Sequence, residues 1–342
     1  MTDALPDQMP DAPSFEEVDP ASLLATGHWP EGRRRMQLGV MVPIAEDSAF
    51  GGTPRFADMA EISRTADAAG FDAAWFADHL VFDMEPGNDF NMPSDGEVRG
   101  VWECWTMMAG VAAATERIQI GSLVACTSFR NAGVIAKMAE AIDEISDGRF
   151  ILGLGAGWHQ PEYDRFGFPF DHRVSRFEEA IQIIHSMLRQ GTATLEGKYA
   201  RAHDALNQPR GPRASGPPIM VGTSGPRMLR ITARYADAWN TVWHTSAEQI
   251  AEKMAAVDAA CREVDRDPAT LVRTAGGNIA LPGYLGKRPD PFTGEPEAIA
   301  DMLRGFRDVG IQHFVCGLDP CTPQSVEGFA RVIELLDADE PA

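Results

Sequence analysis

Apolar positions along this chain follow two alternating rhythms. Short apolar runs bounded by Gly, Pro or Asp read as buried strands, and segments with apolar residues three and four apart read as amphipathic helices. Met36-Gln-Leu-Gly-Val-Met-Val42, stopped by Pro43, is the first predicted strand. Arg55 to Ala69 is helical in period, with Phe56, Met59, Ala60, Ile62 and Ala66 on one side and Gly70 as its stop. Phe71 to Phe76 is the second strand, closed by Ala77-Asp78-His79 and followed by a long loop from Leu80 to Val101. The alternation continues with a helix over Trp102–Ala114, a strand over Arg117–Val124, a helix over Asn131–Ile145, a strand over Phe150–Leu154 and a helix over Arg173–Leu188. Residues 191–217, rich in Gly, Pro and polar residues, read as an insertion with a short hairpin. Four further units follow. They are Pro218–Val221 with Pro226–Tyr235, Ala238–Thr241 with Ala247–Val264, Leu271–Leu281 with Pro296–Val309, and Gln312–Val315 with Pro323–Leu336. A second Gly- and Pro-rich loop spans 282–294.

Strands alternating with helices imply a parallel sheet, and eight such units fit a closed (β/α)8 TIM barrel with insertions, an α/β fold of about 250 residues. An open doubly wound sheet is the alternative. Residues 1–34, acidic and proline-rich, read as a disordered leader, and 35–342 as one barrel domain. The start of the chain has neither the basic residues nor the apolar stretch of a signal peptide. No apolar run approaches the roughly 20 residues that cross a bilayer, so a cytoplasmic protein is expected.

Charge narrows the partners. The 342 residues include 50 acidic and 30 basic ones, a formal net charge of -20. Such a field repels nucleic acid and anionic membranes, which leaves a small-molecule substrate as the expected partner. A large barrel with many exposed helices often pairs, so a homodimer is open to it. The five cysteines, Cys104, Cys126, Cys261, Cys316 and Cys321, are scattered without a Cys-x-x-Cys and read as reduced, packed thiols.

Working residues of a barrel sit just beyond the C-terminal ends of its strands, which singles out four places. After the second strand, His79 is a proton donor or acceptor near neutral pH, with Asp78 beside it to orient it; a strand-end histidine held by a loop carbonyl is the plainer reading. After the third, Leu123-Val-Ala-Cys-Thr-Ser-Phe-Arg130 offers Arg130 to an anion. After the fourth, Gly153-Leu-Gly-Ala-Gly-Trp158 fails the dinucleotide fingerprint by spacing. Its glycines either let backbone approach a flat ligand or satisfy packing within the barrel. After the fifth, Gly222-Thr-Ser-Gly-Pro-Arg227 opens a helix with Pro226 at its first position, which makes either an anion site or a plain capped helix. No His-Glu-x-x-His, His-x-His or Gly-x-Ser-x-Gly is present, and no metal site is expected.

Together these segments resemble the luciferase-like flavin monooxygenase superfamily, over about Met36 to Leu336. The resemblance rests on Ala73-Ala-Trp-Phe-Ala-Asp-His79, on Arg117-Ile-Gln-Ile-Gly-Ser through Phe129-Arg-Asn131, and on Leu152-Gly-Leu-Gly-Ala-Gly-Trp-His159. It continues in Asp171-His-Arg-Val-Ser-Arg-Phe-Glu178, in Pro217-Pro-Ile-Met-Val-Gly through Gly225-Pro-Arg227, and in Ala236-Asp-Ala-Trp-Asn240. The pattern is most similar to the branch that uses the deazaflavin F420 rather than FMN. The resemblance implies a flavin ring at the C-terminal mouth, with His79 as the catalytic, proton-handling residue and a non-prolyl cis peptide at Leu123–Val124 behind the ring. It further implies that Asp78, Leu123, Val124, Ala125, Arg130, Gly155, Ala156, Gly157 and Trp158 surround the cofactor. Gly222, Thr223, Ser224, Gly225, Pro226 and Arg227 would take its phosphate. Because a chain of net charge -20 repels an anionic cofactor, a local basic patch is needed as well, and Arg130, Arg173, Arg176 and Arg227 are its candidates. Trp158 stands where a glucose-phosphate dehydrogenase of the family carries an acidic residue, which argues against sugar-phosphate oxidation. The implied activity is hydride transfer between F420 and a small organic substrate. The alternatives are an FMN monooxygenase using oxygen, a metal-dependent barrel hydrolase, and a non-catalytic flavin carrier.

Overall fold

In a computed structural model the described residues are 29–32, 34–46, 52–83, 98–283, 288 and 290–339. Eight strands form the barrel: β1 (Gln37–Met41), β2 (Ala73–Phe76), β3 (Gln119–Ser122), β4 (Phe150–Gly155), β5 (Ile219–Gly222), β6 (Ala238–Thr241), β7 (Val272–Ala280) and β8 (His313–Leu318). Each pairs in parallel with the next, and β8 pairs with β1 in register Gln37 to His313, which closes the ring and excludes the open-sheet alternative. The helices that return the chain are α1 (Phe56–Ala69), α2 (Cys104–Ala114), α3 (Ala132–Ile145), α4 (Arg173–Gln190), α5 (Pro226–Tyr235), α6 (Ala251–Glu263), α7 (Pro296–Asp308) and α8 (Pro323–Asp337). Their ends lie where the residue chemistry predicts. Gly70 ends α1 at φ 97, a conformation that is costly for a residue with Cβ. The Asn131 side chain accepts from the first-turn amides of Gly133 and Val134, and α5, α7 and α8 begin at proline. The 191–217 insertion carries an antiparallel hairpin, Thr192–Glu196 with Arg201–Leu206.

The core has two layers. One lies between strands and helices; a smaller one fills the barrel, centred on Trp75. Gly39 and Gly121 face Trp75 from both sides, and a Cβ on either would approach its ring to 2.3 Å. Below Trp75, its indole nitrogen donates to His313 Nε2 at 3.0 Å. His313 is fully buried, and burial pushes its pKa down to about 3. The neutral ring therefore carries its proton on Nδ1 and donates to Gln37 Oε1, 3.2 Å away. Trp29 donates to the same oxygen at 3.0 Å and stands edge-on to His313.

That plug draws on chain before the boundary expected at residue 34. Trp29 packs beneath the barrel, and Arg34 is buried, pairing with Asp72 at 2.5 Å and Asp337 at 2.6 Å. The folded unit thus includes chain that acidic, proline-rich surroundings made look like leader. Residues 1–28 of that segment lie outside the described residues, as do 84–97 of the first long loop and 284–287 and 289 of the second. What is described of the first loop forms a second hairpin, Val81–Asp83 with Val98–Gly100. Among the described residues, no helix is long and apolar enough to cross a membrane.

Candidate active site at the barrel mouth

The C-terminal ends of the strands bring the expected segments to one mouth, but their side chains divide into two groups. The first is structural. Asp78 is buried, and its carboxylate accepts from Arg130 Nη1 at 2.7 Å, from Arg130 Nη2 at 3.0 Å and from the Cys126 amide at 2.9 Å. Arg130 also donates to Glu103 at 2.5 Å. Burial works against the Arg130 charge, yet Asp78 and Glu103 together raise its pKa above the ordinary arginine value. Asp78 therefore pins the chain beyond β3 instead of orienting His79, and Arg130 is committed to two carboxylates rather than held out for an anion. The segment they hold includes the Leu123–Val124 peptide, which is cis, followed by a short pairing of Ala125–Cys126 with the end of β4. A second non-prolyl cis peptide, Val242–Trp243, follows β6 and left no mark in the sequence pattern.

The glycines of the β4 end also have intramolecular reasons. A Cβ on Gly153 would meet the Ser122 carbonyl at 1.9 Å, and one on Gly155 would meet Val124 at 2.6 Å. At Gly157, φ is +78 and a Cβ would fall 1.8 Å from the Tyr163 hydroxyl. Val124 also approaches Gly222 of β5, where a Cβ would lie 3.1 Å away. Of the two readings of this glycine run, packing within the barrel accounts for Gly153, Gly155 and Gly157. The outcome is an apolar floor, Leu123 and Val124, with small residues beside it at Ala156 and Gly222. Cys126 sits beneath, 3.1 Å from the Tyr163 hydroxyl. Burial raises its thiol pKa to about 11, so it is a packed thiol, as its surroundings in sequence suggested.

The second group faces the mouth. His79 is mostly buried, with 14% of its side chain exposed, among Phe82, Trp158 and His159, whose ring centroids lie 4.5, 5.6 and 6.3 Å away. Its Nδ1 is 3.0 Å from Glu162 Oε2. Nε2 makes no hydrogen bond among the described residues. Glu162, on the short helix Gln160–Phe166, is a residue the sequence reading missed. It stands 83 positions from its partner, and no local spacing announces the pair. His159 accepts from the Asp83 amide at 3.3 Å, and burial lowers its pKa, so it serves as a neutral structural acceptor. Arg288, in the loop beyond β7, donates to Asn278 of β7 at 3.2 Å and lies 5.8 Å from the ring of Trp243, which follows β6. Arg288 and Asn278 are further residues that only the fold brings together.

The starts of α4 and α5 border a shallow, open cleft of about 280 Å³ lined by Phe170, His172, Arg173, Val174, Ser175 and Arg227. Arg173 lies over the Phe170 ring at 3.8 Å, and Arg227 donates to Ser175 at 3.0 Å and pairs with Glu178. Arg176 is bound to Asp171 at 2.8 Å. The loop before α5 is partly committed, since the Thr223 amide donates to the Asn240 carbonyl at 3.2 Å. Ser224, Gly225 and Pro226 complete the turn at the helix start, and a Cβ on Gly225 would meet nothing within 4 Å. Of the four candidate arginines, Arg173 and Arg227 line this cleft, whereas Arg176 is held by Asp171 and lies over the Tyr199 ring, and Arg130 is held at the Asp78 pair. Among the described residues no group of three or more His, Cys, Asp or Glu is placed to hold a metal ion.

Comparison with known proteins agrees with this architecture. A profile described as luciferase-like monooxygenase matches residues 36–281. Over 220 residues the chain is 30% identical to a phthiodiolone/phenolphthiodiolone dimycocerosates ketoreductase of Mycobacterium bovis, covering 61% of this chain and 57% of that one. Over 217 residues it is 34% identical to pyrimidine monooxygenase RutA of Methylobacterium radiotolerans, covering 59% and 53%. The chain thus spans a little over half the length of these relatives. Among solved structures, an F420-dependent secondary alcohol dehydrogenase bound to an F420-acetone adduct superposes with TM-score 0.72 at 18% identity, over 88% of this chain and 99% of that one. Riboflavin lyase RcaE superposes with TM-score 0.73 at 14% identity, over 90% and 92%. At these identities the structural matches speak for the fold.

Proposed function

The chain belongs to the luciferase-like monooxygenase family, and from that premise we propose that it is an F420-dependent oxidoreductase acting on a small organic substrate. One observation carries the reading. A single barrel mouth joins an apolar floor, an imidazole with an uncommitted nitrogen, and a cationic cleft. These are the three environments that a flat redox ring, its proton partner and its phosphate require. Bound there, the deazaflavin would supply the hydride chemistry.

The chain's own residues divide the remaining work. Leu123 and Val124 offer a flat apolar backing, held rigid from behind by the Asp78–Arg130 pair. The turn Gly222–Arg227, with Arg173 and Ser175, offers hydroxyl, guanidinium and helix-start donors to a phosphate. His79 presents Nε2 to a group that gains or loses a proton. Phe82 and Trp158 wall the histidine and exclude water from it. Arg173 and Arg227 at one cleft offset locally the repulsion that a chain of net charge -20 exerts on an anionic cofactor.

The test is a titration of the purified protein with oxidised F420 and with FMN at low and high salt. Micromolar F420 binding that weakens with salt, with FMN much weaker, is expected. A preference for FMN, together with oxygen consumption coupled to product, would move the protein to the oxygen-using alternative, which the similarity to pyrimidine monooxygenase RutA also favours. Binding of neither would overturn both.

A further inference from the structure

Glu162 carries out a task that the flavin reading does not itself require. It is 2% exposed, and its two carboxylate oxygens serve different partners. Oε1 accepts from the Leu80 amide at 2.5 Å and from the Val81 amide at 3.3 Å, which ties the chain just beyond His79 to the short helix. Oε2 faces His79 Nδ1 at 3.0 Å. The same helix region holds this stretch twice more: His159 accepts from the Asp83 amide at 3.3 Å, and Arg165 pairs with the Asp83 carboxylate. Both the ring and the backbone that carries it are therefore held from one side.

We infer that Glu162 is the positioning residue that fixes the protonation geometry of His79. An ionised carboxylate only accepts hydrogen bonds, so the nitrogen facing Oε2 must carry the hydrogen. The neutral imidazole is thereby set with its proton on Nδ1 and its lone pair on Nε2, the nitrogen that has no partner among the described residues. Asp78, next to His79 in sequence, cannot take this role, because its carboxylate is fully engaged by Arg130 and the Cys126 amide. With the ring neutral, the site therefore accepts a proton at Nε2. Charging the ring leaves Nδ1 on Glu162 and makes Nε2 a donor at the same atom. The inference rests on reading His79 as the proton-handling group, but the tautomer can be observed without any turnover.

The experiment is nitrogen NMR of histidine-labelled protein at alkaline pH, with the His79 signals identified by their loss in His79→Gln. The wild type is expected to show a protonated Nδ1 and a bare Nε2. In Glu162→Gln the amide can still accept from Leu80 while its NH₂ turns to Nδ1. The expected spectrum is then inverted, with Nε2 protonated, and kcat falls about 10²-fold or more, as when an amide replaces the carboxylate behind a catalytic histidine, while cofactor affinity holds. A wild-type ring protonated on Nε2, or an unchanged tautomer in Glu162→Gln, would overturn the inference. If Glu162→Gln does not fold, the wild-type spectrum alone decides. Failure of the flavin reading is separate, because it shows in the cofactor titration and not in this spectrum.

Discussion

Arg130 grips Asp78 through two hydrogen bonds, 2.7 and 3.0 Å long, one to each carboxylate oxygen, and the carboxylate beneath is wholly shielded from water. This pair fastens the third strand's end to the second strand's, and the chain that backs the proposed cofactor runs between them. Removing one member leaves a buried charge without its partner, which costs about 3–5 kcal/mol. Arg130→Met is therefore expected to lose stability on that scale, and Asp78→Asn somewhat less because the amide still accepts from Cys126. Chemical denaturation measures both. A loss below 1 kcal/mol in Arg130→Met would mean that the pair does not hold the mouth.

Two glycines of the site are expected to behave oppositely. Gly157 has φ +78 and the Tyr163 hydroxyl where a Cβ would go, so Gly157→Ala must shift a buried tyrosine and strain its own backbone. A loss of about 2 kcal/mol or more is expected. Gly225 has ordinary φ and open space, so Gly225→Ala should fold with stability within about 1 kcal/mol of the wild type. If Gly225→Ala also weakens F420 binding, the loop approaches the phosphate closely.

The cationic cleft predicts a salt-sensitive contribution. Arg227 and Arg173 are on the rim, and the charge of Arg227 is only partly answered by Glu178, itself partly exposed. The double variant Arg173→Ala/Arg227→Ala is expected to bind cofactor about tenfold more weakly or worse at low salt, with a flatter salt dependence and near-native stability. An unchanged affinity would remove the cleft from the site.

Stability should fall with acid through His313. Its folded pKa is depressed to about 3 by burial, against 6.5 for an exposed histidine. Above pH 6.5 neither the folded nor the unfolded state protonates it. Below 6.5 the unfolded state takes up a proton that the folded state refuses, and stability is lost progressively until about pH 3. His244, pushed down to about 4 by burial and then by Lys253, acts in the same direction over the shorter window. His313→Gln is expected to reduce the slope of unfolding free energy between pH 6 and 4 by up to about 1.4 kcal/mol per pH unit. An unchanged slope would show that the ring already charges in the folded protein.

Thiol chemistry offers a simple check. All five cysteines are buried, and the Cys126 thiol is held up at about 11. A disulfide reagent is expected to find no fast-reacting thiol in native protein and five after denaturation. A single fast thiol that disappears in Cys126→Ser would mean that the mouth opens as far as Cys126.

The alternation of apolar runs and amphipathic segments determined the fold, because each local period leaves one face to bury, and eight strand-helix units bury those faces best in a closed ring. It also located the mouth, since Asp78, His79 and the glycines near 155 and 222 lie at strand ends that the period itself marks. Several helix boundaries were equally local: Pro226, Asn131 and Gly70 act on the backbone beside them. What only the tertiary structure decided is which neighbour each polar group meets. Asp78 and His79 are adjacent in sequence, yet they leave the strand toward opposite partners, Arg130 and Glu162, which lie 52 and 83 residues away. The glycine run after the fourth strand read equally as a ligand cradle or as barrel packing, and only the fold shows Val124 and Tyr163 standing where a Cβ on Gly155 or Gly157 would go. Trp29 and Arg34 sat in what read as leader until the barrel's underside gave them His313, Asp72 and Asp337. A strand end exposes its side chains in a direction that the local pattern predicts, but the group waiting there comes from another turn of the barrel, and no short-range spacing records it.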